Sequence, residues 1–430
     1  MNLNVYRWAT RLISPALWLW DTIRASKQPI YRPHRRERWA KHLPKPLAKP
    51  LIWIHAVSVG ETQACAPLLR ALLAQYPQHA VLLTHMTPTG RSIGALLFAQ
   101  LISMQRVQQC YLPYDVAGLP ERFLAHFRPV YGVFMETEIW PNHVAACGVM
   151  GIPLGLANAR MSSNTLRKTQ QMHTLACSTY NAFAWVAAQS GVDAQRFAHF
   201  RTKPITVIGN LKFDAQRNEA QWQQGQAFKR GLSTTNSANH SPRLTIALAS
   251  TREGEELLLL TALKPLLASL AQPPLVLLIP RHPKRAGELI DVLKQLQLTF
   301  AQRSLGQIAD EQTQVLLCDT LGEMWFYYGA SDIAVVGGGW LAHGGQNLIE
   351  PCMAGCAVVV GEHMFNFAHA TQLALDHGAV IQTDSAGLNE QVAALLDATR
   401  RSALVERSLA FSAKHTGATQ RHMALLKGSI

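Results

Sequence analysis

Charge is scarce in this chain, and so are the usual marks of a secreted or metal-bound protein. Only 16% of its 430 residues are Asp, Glu, Lys or Arg, against 48% hydrophobic. That balance excludes an intrinsically disordered chain, which combines high charge with few apolar side chains. The seven cysteines (Cys65, Cys110, Cys147, Cys177, Cys318, Cys352 and Cys356) are odd in number and form no C-x-x-C pair. A disulfide framework is therefore not expected. Most of these cysteines sit inside apolar runs, where a free thiol behaves as a small hydrophobe, and this fits a reducing, cytoplasmic compartment. The 17 histidines show no H-E-x-x-H or comparable spacing, so no metal site is expected. The uninterrupted apolar run of about 20 residues that a membrane-spanning helix requires is also missing, as is a small-residue cleavage site of the signal-peptide kind.

What is present begins with length. A chain of 430 residues exceeds the size at which one core usually stops growing, so two domains of roughly 200 residues each are expected. The net charge of +13 favours polyanionic partners: nucleic acid, anionic lipid head groups or a phosphorylated small molecule. Nothing resembles a recognition helix, an RNP motif or aromatic-basic interleaving, so a nucleic-acid-binding reading rests on charge alone. The basic residues gather near the start instead, in Tyr31-Arg-Pro-His-Arg-Arg-Glu-Arg-Trp-Ala-Lys-His42. They follow a segment carrying Trp8, Leu12, Ile13, Leu17, Trp18, Leu19, Trp20 and Ile23, interrupted by Arg11 and Asp21. Tryptophans on a short apolar helix followed by a basic cluster have the composition of a helix lying in the head-group layer of an anionic membrane. A helix packed on the protein's own core is the plainer alternative.

From Leu51 onward, short apolar runs alternate with helical patterns, the signature of βαβ units and parallel sheets. Strands are expected at Leu51–Val57, Ala80–Met86, Val130–Met135, Ile152–Ala157, Ala184–Ala188 and Ile205–Ile208. A polar stretch over 229–243 reads as a linker, and a second set follows at Leu244–Ala249, Leu275–Ile279, Val315–Cys318, Ile333–Val336, Ala357–Val360 and Ala379–Gln382. The expected organisation is an N-terminal helix and basic segment (1–45), a Rossmann-like domain (46–228), the linker (229–243) and a second Rossmann-like domain (244–430) whose last helix is free to pack back on the first. Ligands of such sheets bind outside the carboxyl ends of the strands, so two such domains facing across a cleft would meet their substrates there.

Three strands run into a Ser/Thr-x-x-Glu sequence: Ser58-Val-Gly-Glu61, Ser250-Thr-Arg-Glu253 and Thr320-Leu-Gly-Glu323. Each taken alone is explained by helix capping, yet all three mark junctions with exposed amides and positive dipole ends. Glu61, beside Gly60, is a candidate general base. Met135-Glu-Thr-Glu-Ile-Trp-Pro-Asn142 places Glu136 and Glu138 after an apolar strand, and two acids two positions apart cannot both be assigned to substrate when one is free to cap the helix opening at Pro141. Lys212, in Gly209-Asn-Leu-Lys-Phe-Asp214, would meet an anionic substrate near the domain junction. Arg281 in Pro280-Arg-His-Pro283 offers a planar fork for phosphate or carboxylate. The loop Gly337-Gly-Gly-Trp-Leu-Ala-His-Gly-Gly-Gln-Asn-Leu-Ile-Glu-Pro351 could bring amides against a phosphate, with Glu350 positioned for ribose hydroxyls. It is neither G-x-G-x-x-G nor G-x-x-x-x-G-K-[ST], which weakens dinucleotide-enzyme and kinase readings.

In this order, His55-Ala-Val-Ser-Val-Gly-Glu61, Met86-Thr-Pro-Thr-Gly90, Tyr111-Leu-Pro-Tyr-Asp115, Met135–Asn142, Ala157-Asn-Ala-Arg-Met-Ser162, Leu211-Lys-Phe-Asp214, Pro280–Pro283, Asp319-Thr-Leu-Gly-Glu323 and Gly344-Gly-Gln-Asn-Leu-Ile-Glu350 resemble the bacterial 3-deoxy-D-manno-octulosonic acid (Kdo) transferases that modify the lipid A precursor. The resemblance implies a GT-B fold and an inverting glycosyltransferase using CMP-Kdo as donor. It also implies a tetra-acylated disaccharide phosphate acceptor, no metal and no cofactor, and an N-terminal helix on the cytoplasmic side of the inner membrane. By the same resemblance Glu61 would be the general base, and Glu136 and Lys212 would stabilise the transition state. Pro280, Arg281, Leu321, Gly322, Glu323, Asn347, Leu348, Ile349 and Glu350 would hold the donor. Arg252 and Trp340 depart from the family's pattern on the donor side. A nucleotide-sugar epimerase of the same two-domain architecture is the alternative enzyme.

Overall fold

The structure is a computed structural model that describes residues 1–137, 139–232 and 243–427. Glu138 and residues 233–242 of the expected linker lie outside the described residues. The chain divides into two compact units, Met1–Ala215 with Thr416–Ile430, and Gln216–His415.

The first unit holds β1 (Leu51–His55), β2 (Ala80–His85), β3 (Val107–Tyr111), β4 (Tyr131–Met135), β5 (Leu154–Ala159), β6 (Trp185–Ala188) and β7 (Ile205–Val207). All pair in parallel in the order β3-β2-β1-β4-β5-β6-β7. Side chains of a strand alternate between faces. Ile52 and Ile54 accordingly join one buried cluster with Leu68 and Leu72 of the helix Val59–Gln75, while Leu51 and Trp53 join another with Phe123 and Phe134. The second unit holds β8 (Thr245–Thr251), β9 (Leu275–Pro280), β10 (Phe300–Gln302), β11 (Val315–Leu317), β12 (Ile333–Val336), β13 (Ala357–Val360) and β14 (Val380–Gln382), again all parallel, in the order β10-β11-β9-β8-β12-β13-β14. Without the edge strand β10, this is the Rossmann order already seen in the first six strands of the first unit.

Two strands escaped the sequence reading, β3 and β10, and both are sheet edges. An edge strand has one neighbour and less need of apolar side chains; β3 carries half-buried Gln108 and Gln109, and β10 has only three residues. The units divide at Ala215, ahead of the stretch expected to link them. Glu219–Gly231 is a helix of the second unit whose Gly225 lies so close to the helix Met324–Gly329 that a Cβ there would stand 2.1 Å from the Phe326 carbonyl oxygen. At the other end, the helix Ala418–Leu426 belongs to the first unit, where Ala418, Met423 and Leu426 enter the Ile52 cluster.

The helix α1 (Leu3–Lys27) holds the first unit by its polar side. The Tyr6 hydroxyl donates to Asp115 Oδ2 (2.9 Å), Arg7 pairs with Glu121 (2.6 Å), and Thr10 Oγ1 accepts from Asn142 Nδ2 (3.3 Å). Asp21, 2% exposed, receives Arg35 Nε (2.6 Å), the Tyr114 hydroxyl (2.7 Å) and the Trp39 indole (3.1 Å). Val5, Trp8, Leu12, Leu19 and Ile23, at helical spacing, are 45% exposed or more. No helix among the described residues is long and apolar enough to cross a membrane.

Candidate functional site

In a doubly wound sheet the crevice opens where strand order reverses. For the first unit that is between β1 and β4, whose ends carry Glu61 and Glu136. Ser58 caps the helix α2 (Val59–Gln75), accepting from the Glu61 amide. The Glu61 carboxylate in turn accepts from the Val57 amide (2.9 Å) and from Ser58 Oγ (3.0 Å). This is a capping box reaching one residue further back than the usual pattern. A carboxylate has lone pairs beyond those two bonds, and Glu61 keeps 8% of its surface exposed. A Cβ at Gly60 would meet nothing within 4 Å, so the space beside that glycine is open.

Glu136 follows the last residue of β4 with φ of 56°, a left-handed conformation costly for a residue with a Cβ. It is held there by its amide donating to Ala157 O (2.9 Å) and by its carboxylate, which receives Arg160 Nε at 2.7 Å and stands 3.3 Å from Lys212 Nζ. Burial pushes the Glu136 carboxyl up, but Lys212 and Arg160 outweigh it and hold the group below its ordinary value. Burial works to depress the Arg160 guanidinium, and Glu136 first, with Glu61 and Asp193 behind it, keeps it raised. Glu61, Glu136, Arg160 and Lys212 thus belong to one electrostatic cluster in the first unit.

Lys212 is placed by the end of the chain. It lies in the short turn Leu211–Asp214, which Asn210 caps by accepting from the Lys212 amide (3.0 Å), while Leu211 N donates to Asn158 Oδ1 (3.0 Å). Asn158, fully buried near the end of β5 with φ of 53°, donates its amide to His422 Nε2 (3.0 Å). The other ring nitrogen of His422 donates to Ala418 O (2.7 Å), so the imidazole is neutral, and burial lowers its pKa to about 4. Asp214 closes the connection by accepting from the Gly417 amide (2.6 Å) and the Thr419 amide.

In the second unit the order reverses between β8 and β12. Here the expected Ser250–Glu253 cap does not form. Ser250 has φ of 58°, Glu253 turns out toward Arg252 (3.1 Å), and the helix Glu255–Ser269 starts only after Gly254, at φ of 86°. The structural carboxylate is Glu255, which is fully buried. It accepts from the amides of Arg252 (2.9 Å), Gly338 (2.6 Å) and Trp340 (2.9 Å), and ties the glycine-rich loop to the end of β8. Much of that loop's glycine serves close backbone packing: a Cβ at Gly337 would stand 2.6 Å from Thr251 Cα, and one at Gly361 would stand 2.2 Å from Gly339 O. Trp340 is buried in the core with its indole donating to Val336 O (2.9 Å), so its departure from the family pattern is absorbed by packing.

Arg281 follows Pro280, the last residue of β9, and its amide donates to Thr251 O (2.9 Å). Among the described residues its guanidinium has no carboxylate within 4.0 Å. Burial lowers its pKa and Arg252 adds to that, with Glu350 opposing. A desolvated guanidinium beside a second cation calls for an anion. Glu323 is already engaged: it receives Arg303 (2.8 and 3.1 Å), the Tyr327 hydroxyl (3.0 Å) and the Thr320 hydroxyl, and chiefly Arg303 holds its pKa down to about 2. Leu321 is 71% exposed, and Gly322, at φ of 83°, has its carbonyl taken by Gln221 Nε2 (2.8 Å). Asn347 Oδ1 accepts from the Ile349 amide (3.0 Å) just ahead of the helix Ile349–Ala354. The Leu348 and Ile349 side chains are fully buried, so this stretch can meet a ligand only through its backbone, Asn347 and half-buried Glu350. Among the described residues no three His, Cys, Asp or Glu side chains form a metal-ligand set.

The residues missed in the sequence are Arg160, Asn158, His422 and Glu255. Arg160 had a local signal, a cation just past a buried strand. Glu255 had another, an acid directly after a glycine at a helix start. The Asn158–His422 contact spans 264 positions and leaves no local trace.

Comparison with known proteins gives a consistent picture. The family model described as 3-deoxy-D-manno-octulosonic-acid transferase (kdotransferase) matches residues 33–215. The chain is 41% identical over 436 residues to the 3-deoxy-D-manno-octulosonic acid transferase of Bordetella pertussis, covering 99% of each. It is 32% identical over 407 residues to that of Haemophilus influenzae, covering 93% of this chain and 92% of the relative. Among solved structures, UDP-GlcNAc 2-epimerase from Neisseria meningitidis aligns with a TM-score of 0.58 at 15% identity, covering 88% of this chain and 99% of that one. That likeness is one of fold, the GT-B type with two Rossmann-like units.

Proposed function

This chain belongs to the 3-deoxy-D-manno-octulosonic acid (Kdo) transferase family and is a glycosyltransferase, and we propose that it moves Kdo from CMP-Kdo onto the acylated disaccharide phosphate precursor of lipid A, with inversion and without a metal. The observation that carries this reading is the cluster of Glu61, Glu136, Arg160 and Lys212 at the first unit's strand-order reversal, in a chain so similar along its length to a Kdo transferase.

In the proposed reaction, Glu61 takes the proton of an acceptor hydroxyl as that oxygen forms a bond to the anomeric carbon of Kdo. The bond from that carbon to the CMP phosphate oxygen breaks, and CMP leaves with the electron pair. Positive charge grows at the anomeric carbon, and the ionised Glu136 stabilises it. Lys212 acts with Glu136, holding it ionised and meeting the negative charge of the acidic sugar. Arg281, whose guanidinium has no carboxylate within 4.0 Å among the described residues, receives the departing phosphate. Pro280, Leu321, Gly322, Glu323 and the stretch Asn347–Glu350 complete the donor site, Leu348 and Ile349 through backbone groups and Glu350 through ribose hydroxyls. The exposed stripe of α1 lies in the cytoplasmic face of the inner membrane, where the acceptor resides.

The test is incubation of the chain with CMP-Kdo and the acylated disaccharide, with product mass read by mass spectrometry. Glu61→Gln is expected to lower turnover by roughly 10²–10⁴-fold while donor affinity is retained. Turnover close to wild type in that variant removes Glu61 from its role.

A further inference from the structure

The helix Ala418–Leu426 grips the stretch that carries Lys212 in three places. Arg421 Nε donates to Ile208 O (2.8 Å), Asp214 accepts from the Gly417 and Thr419 amides, and His422 holds Asn158, whose side chain in turn holds Leu211. The third grip departs from ordinary sheet pairing. Both backbone groups of Asn158 are taken by side chains, its amide donating to His422 Nε2 (3.0 Å) and its carbonyl accepting from Gln189 Nε2 (2.9 Å), where a neighbouring strand would supply backbone partners. The pairing of β5 with β6 slips between Leu156 and Ala159, around this residue. An irregularity of that kind re-aims a side chain, and here Asn158, at φ of 53°, sends Oδ1 to the Leu211 amide (3.0 Å).

The residues on either side of Asn158 serve Glu136. Ala157 O accepts from the Glu136 amide (2.9 Å) and Arg160 Nε donates to its carboxylate (2.7 Å). One strand end therefore sets both halves of the Glu136–Lys212 pair. His422 is the group that fixes Asn158 within it. It is fully buried, and its Nδ1–H donates to Ala418 O (2.7 Å), which leaves Nε2 a single direction in which to accept. We propose that His422 is a positioning residue for sugar transfer: acting through Asn158, it fixes the turn Leu211–Asp214 so that Lys212 Nζ stands 3.3 Å from Glu136. This rests on the part given to Lys212 in the proposed reaction, and it extends that site to a group that touches neither substrate nor the reacting atoms.

The test compares two polar replacements in the full chain. The side chain of His422→Asn ends near the place of Nδ1 and falls short of Asn158, whereas that of His422→Gln reaches the place of Nε2 and can accept from the Asn158 amide. His422→Asn is expected to lower kcat by roughly 10–100-fold, the cost of a small misplacement at the reacting centre, and His422→Gln to stay within about threefold of wild type. In a Lys212→Gln background His422→Asn should cost less than about threefold, because the group it positions is gone. Acetic anhydride labelling, read peptide by peptide by mass spectrometry, should modify Lys212 severalfold faster in His422→Asn and at the wild-type rate in His422→Gln, with the other lysines unchanged. Met423→Ala, which removes packing contributed by the same helix, should lower the urea midpoint without hastening the labelling of Lys212. Equal losses in the Asn and Gln variants, an equal cost of His422→Asn in both backgrounds, or labelling of Lys212 hastened as much by Met423→Ala each overturns the proposal and leaves His422 a packing residue. Labelling needs no donor sugar. A wild-type chain that transfers no Kdo therefore removes the proposed reaction, while an unchanged Lys212 labelling rate in His422→Asn refutes the positioning by itself.

Discussion

The two strand-order reversals use the same device for opposite ends. Each has a carboxylate at the start of the helix after its first strand, Glu61 in one unit and Glu255 in the other, reaching back to loop amides. Glu255 accepts from four such amides, those of Arg252, Gly338, Trp340 and Leu341, and fastens a glycine-rich loop. Glu61 accepts from the Val57 amide and from Ser58 Oγ, and the space beside the neighbouring Gly60 is open. The remaining charge then differs in kind. The first unit's crevice is internally balanced, with Glu136 set between Arg160 and Lys212, whereas in the second unit's Arg281 has no carboxylate within 4.0 Å among the described residues, Glu350 acting on it only from further off. Under the proposed reaction, the first crevice would stabilise a transient cation and the second would meet an anion that arrives with the substrate.

The strongest way to break this contrast is Glu136→Gln. Removing the shared counter-charge should lower turnover by roughly 10²–10³-fold. It should also cost roughly 2–3 kcal/mol of stability, below the figure for a fully buried pair because Arg160 is partly exposed. Single-turnover kinetics and urea unfolding read the two effects, and full activity would show that the cluster is structural only. Next comes Arg281→Ala, expected to raise the donor KM by about 10–100-fold, the value of a hydrogen bond to a charged group. Its urea midpoint should stay level or rise, because a desolvated charge without a partner is removed. A fall in stability like that of Glu136→Gln would reveal a partner for Arg281 within the chain and erase the difference between the crevices.

The smallest effect concerns acid. In the first unit burial holds His85 and His422 neutral, each with a pKa lowered to about 4. Unfolding releases them to an ordinary value near 6.5, so the unfolded state binds more protons in between. Their contribution is full above about 6.5 and shrinks as pH falls toward 4, by roughly 1–2 kcal/mol per histidine at pH 5. Glu323 in the second unit works lower: its pKa of about 2 is below the unfolded value, so its contribution is present above that value and is lost as pH falls toward 2. Hydrogen exchange at pH 7 and pH 5 should show the first unit loosening first. Equal loosening of both units at pH 5 would sink this ordering.

Much of this was legible along the chain because a buried parallel strand is a short apolar run, and polar residues just past its end mark the crevice. Glu61, Glu136, Lys212 and Arg281 were all found that way. Edge strands β3 and β10 were not, since half-exposed residues such as Gln108 dilute the pattern. The role of His422 was hidden for another reason: a helix carries no sign of which distant backbone amide its imidazole will meet.

The grip of α1 on the unit beneath it has a practical corollary. Asp115 accepts from the Tyr6 hydroxyl and also from the amides of Asn142 and His143, the opening residues of the helix that begins just beyond Glu136. An amphipathic segment of this kind invites deletion when a more tractable enzyme is wanted. Here such trimming would take away the Tyr6 hydroxyl from Asp115 and the Thr10 hydroxyl from Asn142, so the greasy leading helix is better regarded as a splint than as a handle.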